Sequence, residues 1–115
     1  AFENLVVAVQ VESAPAIDNI PAIAAVDGID VIFIGPRDLS ATLGKLNLFD
    51  DPAVKGQIER AEAAILKSGR ILGSTAMSGK AAKAMAGRGF RFIVGGSDVG
   101  LLGQGVRAML GEARG

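Results

Sequence analysis

Residues 28–40 read Gly28-Ile29-Asp30-Val31-Ile32-Phe33-Ile34-Gly35-Pro36-Arg37-Asp38-Leu39-Ser40, and this stretch decides the fold. Its Val31-Ile32-Phe33-Ile34 core is a continuous apolar run, the signature of a parallel strand covered on both faces. Gly35-Pro36 breaks the run, because proline brings no N–H to a ladder and holds φ fixed. A short helical turn from Asp38 to Leu43 is expected next, stopping at Gly44.

Working outward, residues 5–11 (LVVAVQV) are rich in β-branched side chains and short enough for a buried strand. Beyond Glu12, Ser13 stands at an N-cap position and Pro15 falls in the first turn. Ile17, Ile20, Ile23 and Ala24 recur at helical spacing, and Asp27-Gly28 is expected to end that helix with Gly28 in the left-handed C′ position. On the other side, residues 47–51 form a loop. Pro52 opens a long helix to about Lys67 with the stripe Val54, Ile58, Ala61, Ile65 and Leu66, ended by Ser68-Gly69. A third unit follows, weaker in pattern: Ile71-Leu72-Gly73-Ser74 as strand, then a helix capped by Ser78 and closed by Gly87 and Gly89. The fourth strand is read at residues 90–94, followed by Gly95-Gly96-Ser97-Asp98 and a helix carrying Leu101, Leu102, Val106, Met109 and Leu110.

Four strand–helix units with short connections demand a parallel sheet, since each helix returns the chain to the same end. Two α/β architectures satisfy this, an open doubly wound sheet and half of a (β/α)₈ barrel. The alternation by itself slightly favours the open sheet, because a whole barrel takes roughly 250 residues and this chain has 115. No linker or low-complexity tract divides residues 1–115, so one domain is expected. The opening Ala1-Phe2-Glu3-Asn4 has no initiating Met and no basic signal region, and it enters a strand pattern almost at once. Ala1 is therefore expected to be an interior point of a longer chain.

Composition narrows the chemistry. Twelve basic residues balance twelve acidic ones, so no electrostatic footprint for nucleic acid or an anionic membrane is present. No apolar run approaches the ~20 residues of a membrane span. Cysteine is absent, which excludes a disulfide framework, a zinc finger and a thiol nucleophile. Histidine is absent too, removing the commonest general base near neutral pH and the commonest transition-metal ligand. Carboxylates, Lys, Arg, hydroxyls and the backbone remain.

In either architecture function gathers where the strands end. The sequence places there Gln10 and Glu12, then Gly35-Pro36-Arg37-Asp38, then Ser74-Thr75, then Gly95-Gly96-Ser97-Asp98. Carboxylates on neighbouring strand ends suit a hard cation with open water positions. Each residue also has a plainer role. Glu12 is a favourable charge beside a helix N-terminus, and Asp38 is a good N-cap. Gly35-Pro36 makes a turn, or else presents N–H groups to an anion; the same pair of roles applies to Gly95-Gly96, with Ser97 or Asp98 as cap. Arg37 suits a surface salt bridge or a substrate carboxylate, and Ser74 and Thr75 suit a turn or a substrate contact. No lysine lies inside a strand, which argues against imine chemistry.

Taken together, Gln10-Val11-Glu12-Ser13, the run from Gly28 to Ser40, Gly89-Phe90-Arg91-Phe92 and Gly96-Ser97-Asp98 resemble the HpcH/HpaI aldolase family. These are the class II, pyruvate-dependent aldolases, with relatives such as 2-dehydro-3-deoxyglucarate aldolase. The match runs in order along essentially the whole chain, and the Gly-Pro-x-Asp-Leu-Ser segment after an apolar strand is its specific part. The resemblance implies that the four units are the last four of a (β/α)₈ barrel. It implies that Glu12 and Asp38 ligate Mg²⁺, Mn²⁺ or Co²⁺, that Gln10 contacts a bound 2-oxo acid, and that Gly35, Pro36 and Arg37 line the place of its carboxylate. The reaction implied is cleavage of a 4-hydroxy-2-oxo acid to pyruvate and an aldehyde, in a cytoplasmic homo-oligomer. The alternative is a non-catalytic half-barrel that self-associates; a receiver-like phosphate-accepting domain fits poorly, lacking a paired acid at its first strand. Two departures stand out. The family's general-base histidine and a substrate-binding arginine belong to an N-terminal half, and residues 71–77 (ILGSTAM) are less apolar than usual, which bears on the aldehyde.

Overall fold

A computed structural model describes residues 3–115; the chain start at Ala1-Phe2 lies outside them. Along the described residues run β1 (Ala8–Val11), α1 (Ala14–Asp18), α2 (Ile20–Ala24), β2 (Val31–Ile34), α3 (Pro36–Thr42), α4 (Pro52–Ser68), β3 (Ile71–Thr75), α5 (Gly79–Gly87), β4 (Phe92–Val94) and α6 (Asp98–Arg114). The strands form one parallel sheet in the order β1-β2-β3-β4.

That order settles the architecture. Each right-handed crossover steps the chain one place in the same direction and leaves its helix on the same face. A doubly wound sheet, which the alternation by itself slightly favours, needs a reversal of strand order. None occurs among the described strands, so the sheet is a sector of a barrel wall.

The core agrees with this. Val11, Ile32, Ile34 and Leu72 pack with Ile17, Ile20, Ala61, Ile65 and Met85 from the helices. Side-chain alternation sends Gln10, Phe33, Gly73, Thr75 and Phe92 to the other face. There the rings of Phe33 and Phe92 meet edge to face, centroids 6.2 Å apart. They flank Gly73, where a Cβ would stand 3.1 Å from the Phe33 ring.

Local signals hold at most element ends. Ser13, Ser78 and Ser97 cap α1, α5 and α6 by accepting backbone N–H groups, and Gly69 ends α4 with φ 80°. The helix after β1 departs from its reading. It breaks at Asn19 into α1 and α2, because Pro21 has no N–H for the Ile17 carbonyl and its ring crowds that turn. It also ends earlier, at Ala24; Gly28 takes φ 91° in the turn beyond. Arg70 closes that end, donating from Nε to the Ala24 carbonyl at 2.9 Å and from Nη2 to the Val26 carbonyl at 3.2 Å.

The outer strands are shorter than read. β1 begins at Ala8, since the Asp30 carboxylate takes the Val7 N–H at 2.8 Å. β4 begins at Phe92, and Phe90 is buried in the core instead. The Leu101, Leu102, Val106, Met109 and Leu110 stripe of α6 is exposed, and no residue of α6 is buried. The Cα radius of gyration, 16.2 Å, accordingly exceeds the about 13 Å of a compact chain this long.

Asp51 caps α4 through the Ala53 N–H at 2.9 Å and pairs with Lys45 Nζ at 2.6 Å. The Lys45 hydrogen bond first, then the Ala53 N–H, hold its carboxyl below its ordinary 3.8. A pKa depressed by folding contributes stability above the unfolded value, and this is lost as pH falls through the folded one. Asp51→Ala is therefore expected to melt below the parent at neutral pH, with the gap closing as pH falls below 3.8. Thermal melts of both chains, from neutral pH down to about one unit below that value, check this. A gap that stays constant across the series would refute it.

Candidate functional site

The C-terminal rim of the sheet collects the residues that sequence placed at strand ends. Gln10 lies near the end of β1 on the face away from the helices, and Glu12 follows two residues later on the same side. Gln10 Nε2 donates to Glu12 Oε2 at 2.8 Å. Beside them Gly35, the N-cap of α3, donates its N–H to the Val11 carbonyl at 3.0 Å. A Cβ at Gly35 would collide with Gln10 Nε2 and stand 3.2 Å from Glu12 Oε2. The missing side chain is what lets the Gln10–Glu12 pair lie against the start of α3.

Because φ at Gly35 is −93°, alanine fits the backbone there. Gly35→Ala is therefore expected to fold with a melting point near the parent's while displacing Gln10 and Glu12. Mn²⁺ affinity, read by electron paramagnetic resonance (EPR) of the free ion, should fall several-fold. Unchanged affinity would show that the pair is not part of a cation site.

Asp38 sits in the first turn of α3, not at its cap, which is Gly35. Its carboxylate is exposed and enters no salt bridge among the described residues. Arg37 is likewise exposed, so the surface salt bridge suggested for it is not made there. Of the backbone from Gly35 to Asp38, the Gly35 N–H is already bonded and Pro36 has none. The N–H groups of Arg37 and Asp38, in the first helical turn, have no intrahelical acceptor and remain for an anion.

Gln10, Gly35, Pro36, Arg37 and Asp38 line one groove of about 980 Å³, and Glu12 is tied to it through Gln10. The groove crosses the end of β3, where Thr75 faces it, and reaches Gly95, Gly96 and Ser97 at the start of α6. Ser74 turns out to be a fold residue: it is buried, and its hydroxyl donates to the Ile34 carbonyl at 2.8 Å. Ser97 caps α6, and Asp98 accepts the Val99 N–H. Two features escape sequence reasoning. Gly35 as clearance for Gln10 leaves no local signal beyond a glycine before a proline. Ser40 closes the Gly-Pro-x-Asp-Leu-Ser segment, but nothing in that segment indicates that its hydroxyl is buried between the Arg37 carbonyl and the Asn47 N–H.

Among the described residues no group of three or more His, Cys, Asp or Glu converges, so no closed structural site exists among them. Two exposed carboxylates, an amide and open solvent positions fit a hard, oxygen-preferring ion that keeps waters for substrate to replace. Soft or imidazole-seeking metals find no partner here. In donor type, Glu12, Asp38 and Gln10 fit an open divalent site.

Comparison with known proteins shows the family. The family model described as HpcH/HpaI aldolase/citrate lyase matches residues 1–104. The chain is 39% identical over 114 residues to a hydroxypyruvate/pyruvate aldolase of Delftia acidovorans, covering 99% of this chain and 42% of that protein. It is 37% identical over 99 residues to a 5-keto-4-deoxy-D-glucarate aldolase of Klebsiella pneumoniae, covering 86% of this chain and 39% of that protein. Among solved structures, a HpcH/HpaI aldolase/citrate lyase family protein from Burkholderia cenocepacia superposes with a TM-score of 0.87 at 38% identity, over 96% of this chain and 43% of that one. A HpcH/HpaI aldolase from Desulfitobacterium hafniense gives 0.86 at 26% identity, over 98% and 44%. The chain spans less than half the length of the relatives it matches.

Proposed function

The chain belongs to the HpcH/HpaI aldolase/citrate lyase family, and from that premise we propose that it supplies the metal- and oxo-acid-binding half of an aldolase. The reaction is cleavage of a 4-hydroxy-2-oxo acid to pyruvate and an aldehyde. The observation that carries the reading is the Gln10–Glu12 pair seated over Gly35, with Asp38 in the helical turn that Gly35 begins.

Glu12 and Asp38 would hold the ion, Mg²⁺, Mn²⁺ or Co²⁺. When bound, it supplies Lewis-acid polarisation of the oxo acid. The chain's own residues supply binding and orientation. Glu12 fixes the Gln10 amide through the 2.8 Å bond and so leaves the Gln10 carbonyl and second N–H to meet the oxo acid. The N–H groups of Arg37 and Asp38 receive its carboxylate, with the Arg37 guanidinium as a second contact. The Phe33 ring gives the groove an apolar wall and meets the partly exposed Phe92 ring edge to face. The general-base histidine of the family has no counterpart among residues 1–115, so no residue of this chain is assigned the proton-transfer step. The chain is accordingly expected to bind metal weakly and to show little or no aldolase activity by itself, as the C-terminal half of a single barrel domain.

Mn²⁺ titration of the 115-residue chain, followed by EPR with and without oxalate as a pyruvate-like chelator, tests the reading. One bound Mn²⁺ per chain, with a signal altered by oxalate, is the expected result. Absence of binding at millimolar Mn²⁺ (roughly the weak end of biological cation sites) would sink it.

Self-association is the second reading, favoured by the unpaired outer edges of β1 and β4 among the described strands. Such edges are a liability in solution. A monomer indifferent to metal would exclude both readings.

A further inference from the structure

Between β2 and α4 lies a buried hydroxyl that the proposed chemistry does not use. Ser40, in α3, is fully buried. Its Oγ donates to the Arg37 carbonyl at 2.6 Å and accepts the Asn47 N–H at 2.9 Å. Its own carbonyl accepts the Lys45 N–H at 2.8 Å. The first bond closes on the residue just before Asp38. The second holds Asn47 at φ 61°, a left-handed conformation no other described non-glycine residue adopts. Lys45 then pairs with Asp51, the cap of α4.

The opposite side of α3 is tied as well. Thr42 donates to the Leu39 carbonyl at 2.8 Å and stands 3.5 Å from the carbonyl oxygen of Glu12. Helix α3 has seven residues, too few to hold its own shape in water. Its first turn therefore takes its position from tertiary anchors, Leu39 buried in the core and these hydrogen-bonded ties. A serine inside a helix has no propensity advantage, and a buried hydroxyl is costly unless bonded. Replacing it with alanine would leave the Asn47 N–H without its acceptor and remove the hydroxyl bond that the Arg37 carbonyl accepts besides its helical one.

We propose that Ser40 is a positioning residue of the cation site, its hydroxyl locking the turn that carries Asp38 to loop 44–51. The proposal rests on the reading that Glu12 and Asp38 share one divalent ion. Its consequence is a coupling: cation binding and the Ser40–Asn47 bond stabilise each other, and by thermodynamic reciprocity the effect runs both ways.

The test compares Mn²⁺ dissociation constants by EPR for the parent, Ser40→Ala, Glu12→Gln and Ile65→Val, the last chosen as a core change away from the rim. Thermal melts set the loss of fold for each. Ser40→Ala is expected to weaken Mn²⁺ binding about tenfold and to broaden the bound-ion spectrum, while Ile65→Val leaves both unchanged. Equal affinities in Ser40→Ala and parent would overturn the proposal, and so would a matching loss in Ile65→Val. Should Ser40→Ala not fold, the parent alone decides. Saturating Mg²⁺ is expected to slow hydrogen exchange at the Asn47 amide, and unchanged exchange there refutes the coupling. A parent that binds no Mn²⁺ defeats the metal reading itself; a parent that binds while Glu12→Gln does not, with Ser40→Ala unaffected, defeats the Ser40 proposal alone.

Discussion

Glu12→Gln is expected to weaken Mn²⁺ binding by at least about tenfold, and Asp38→Asn to do the same. Each change removes one of two anionic ligands while keeping side-chain size. Both side chains are exposed, so neither change disturbs the core, and surface substitutions of this kind leave stability within about 0.5 kcal/mol. In Glu12→Gln an amide oxygen stands where the carboxylate was and still accepts from Gln10, so the loss tracks charge rather than the 2.8 Å bond. The double variant is expected to lose little more than either single one, because two ligands of one ion are not independent. Mn²⁺ EPR and a thermal melt on the same samples check both halves. If both single variants bind as tightly as the parent, the two carboxylates do not share an ion.

Ile65→Ala carries the largest expected effect on stability, a loss of about 2–5 kcal/mol. Ile65 is fully buried on α4, in the cluster that includes Ile32, Ile34 and Leu72 of the sheet. Small domains stand only ~5–15 kcal/mol above the unfolded state, and a sheet whose two edges are unpaired among the described residues belongs near the lower limit. The variant is expected to lose most of its cooperative urea transition at room temperature, or to move its midpoint sharply down. Ile65→Val should cost only about 0.5–1.5 kcal/mol. A parent-like midpoint for Ile65→Ala would mean that α4 does not hold the sheet, whose stability would then need another source.

Legibility in the sequence follows the range of each interaction. β2 is readable to the residue at Val31–Ile34, because a four-residue apolar run bounded by Asp30 and Gly35 has one local solution. The caps at Ser13, Ser78 and Ser97 are readable for the same reason, each bonding within three residues. Where two local signals compete, the stronger pattern misleads. The Ile17, Ile20, Ile23 periodicity points to one helix, and Pro21 divides it. At β1 the β-branched run continues upstream to Leu5, but the Asp30 side chain intercepts the Val7 N–H. In α6 the apolar stripe is correct as a pattern, yet nothing among the described residues covers it.

Sequence alone determined that strands and helices alternate, that the strands must run parallel, and that any chemistry here works with oxygen and nitrogen donors other than histidine. Those properties reside in residue types and short periods, so a local reading suffices. The half-barrel that the sequence resemblance implied is borne out by a strand order that never reverses among the described strands, a choice the alternation of elements by itself left open. Tertiary structure alone decided that Gln10 and Glu12 lie over Gly35 and that Ser40 ties Asp38's turn to Asn47. These depend on which distant segments meet in space, and no spacing along the chain encodes that.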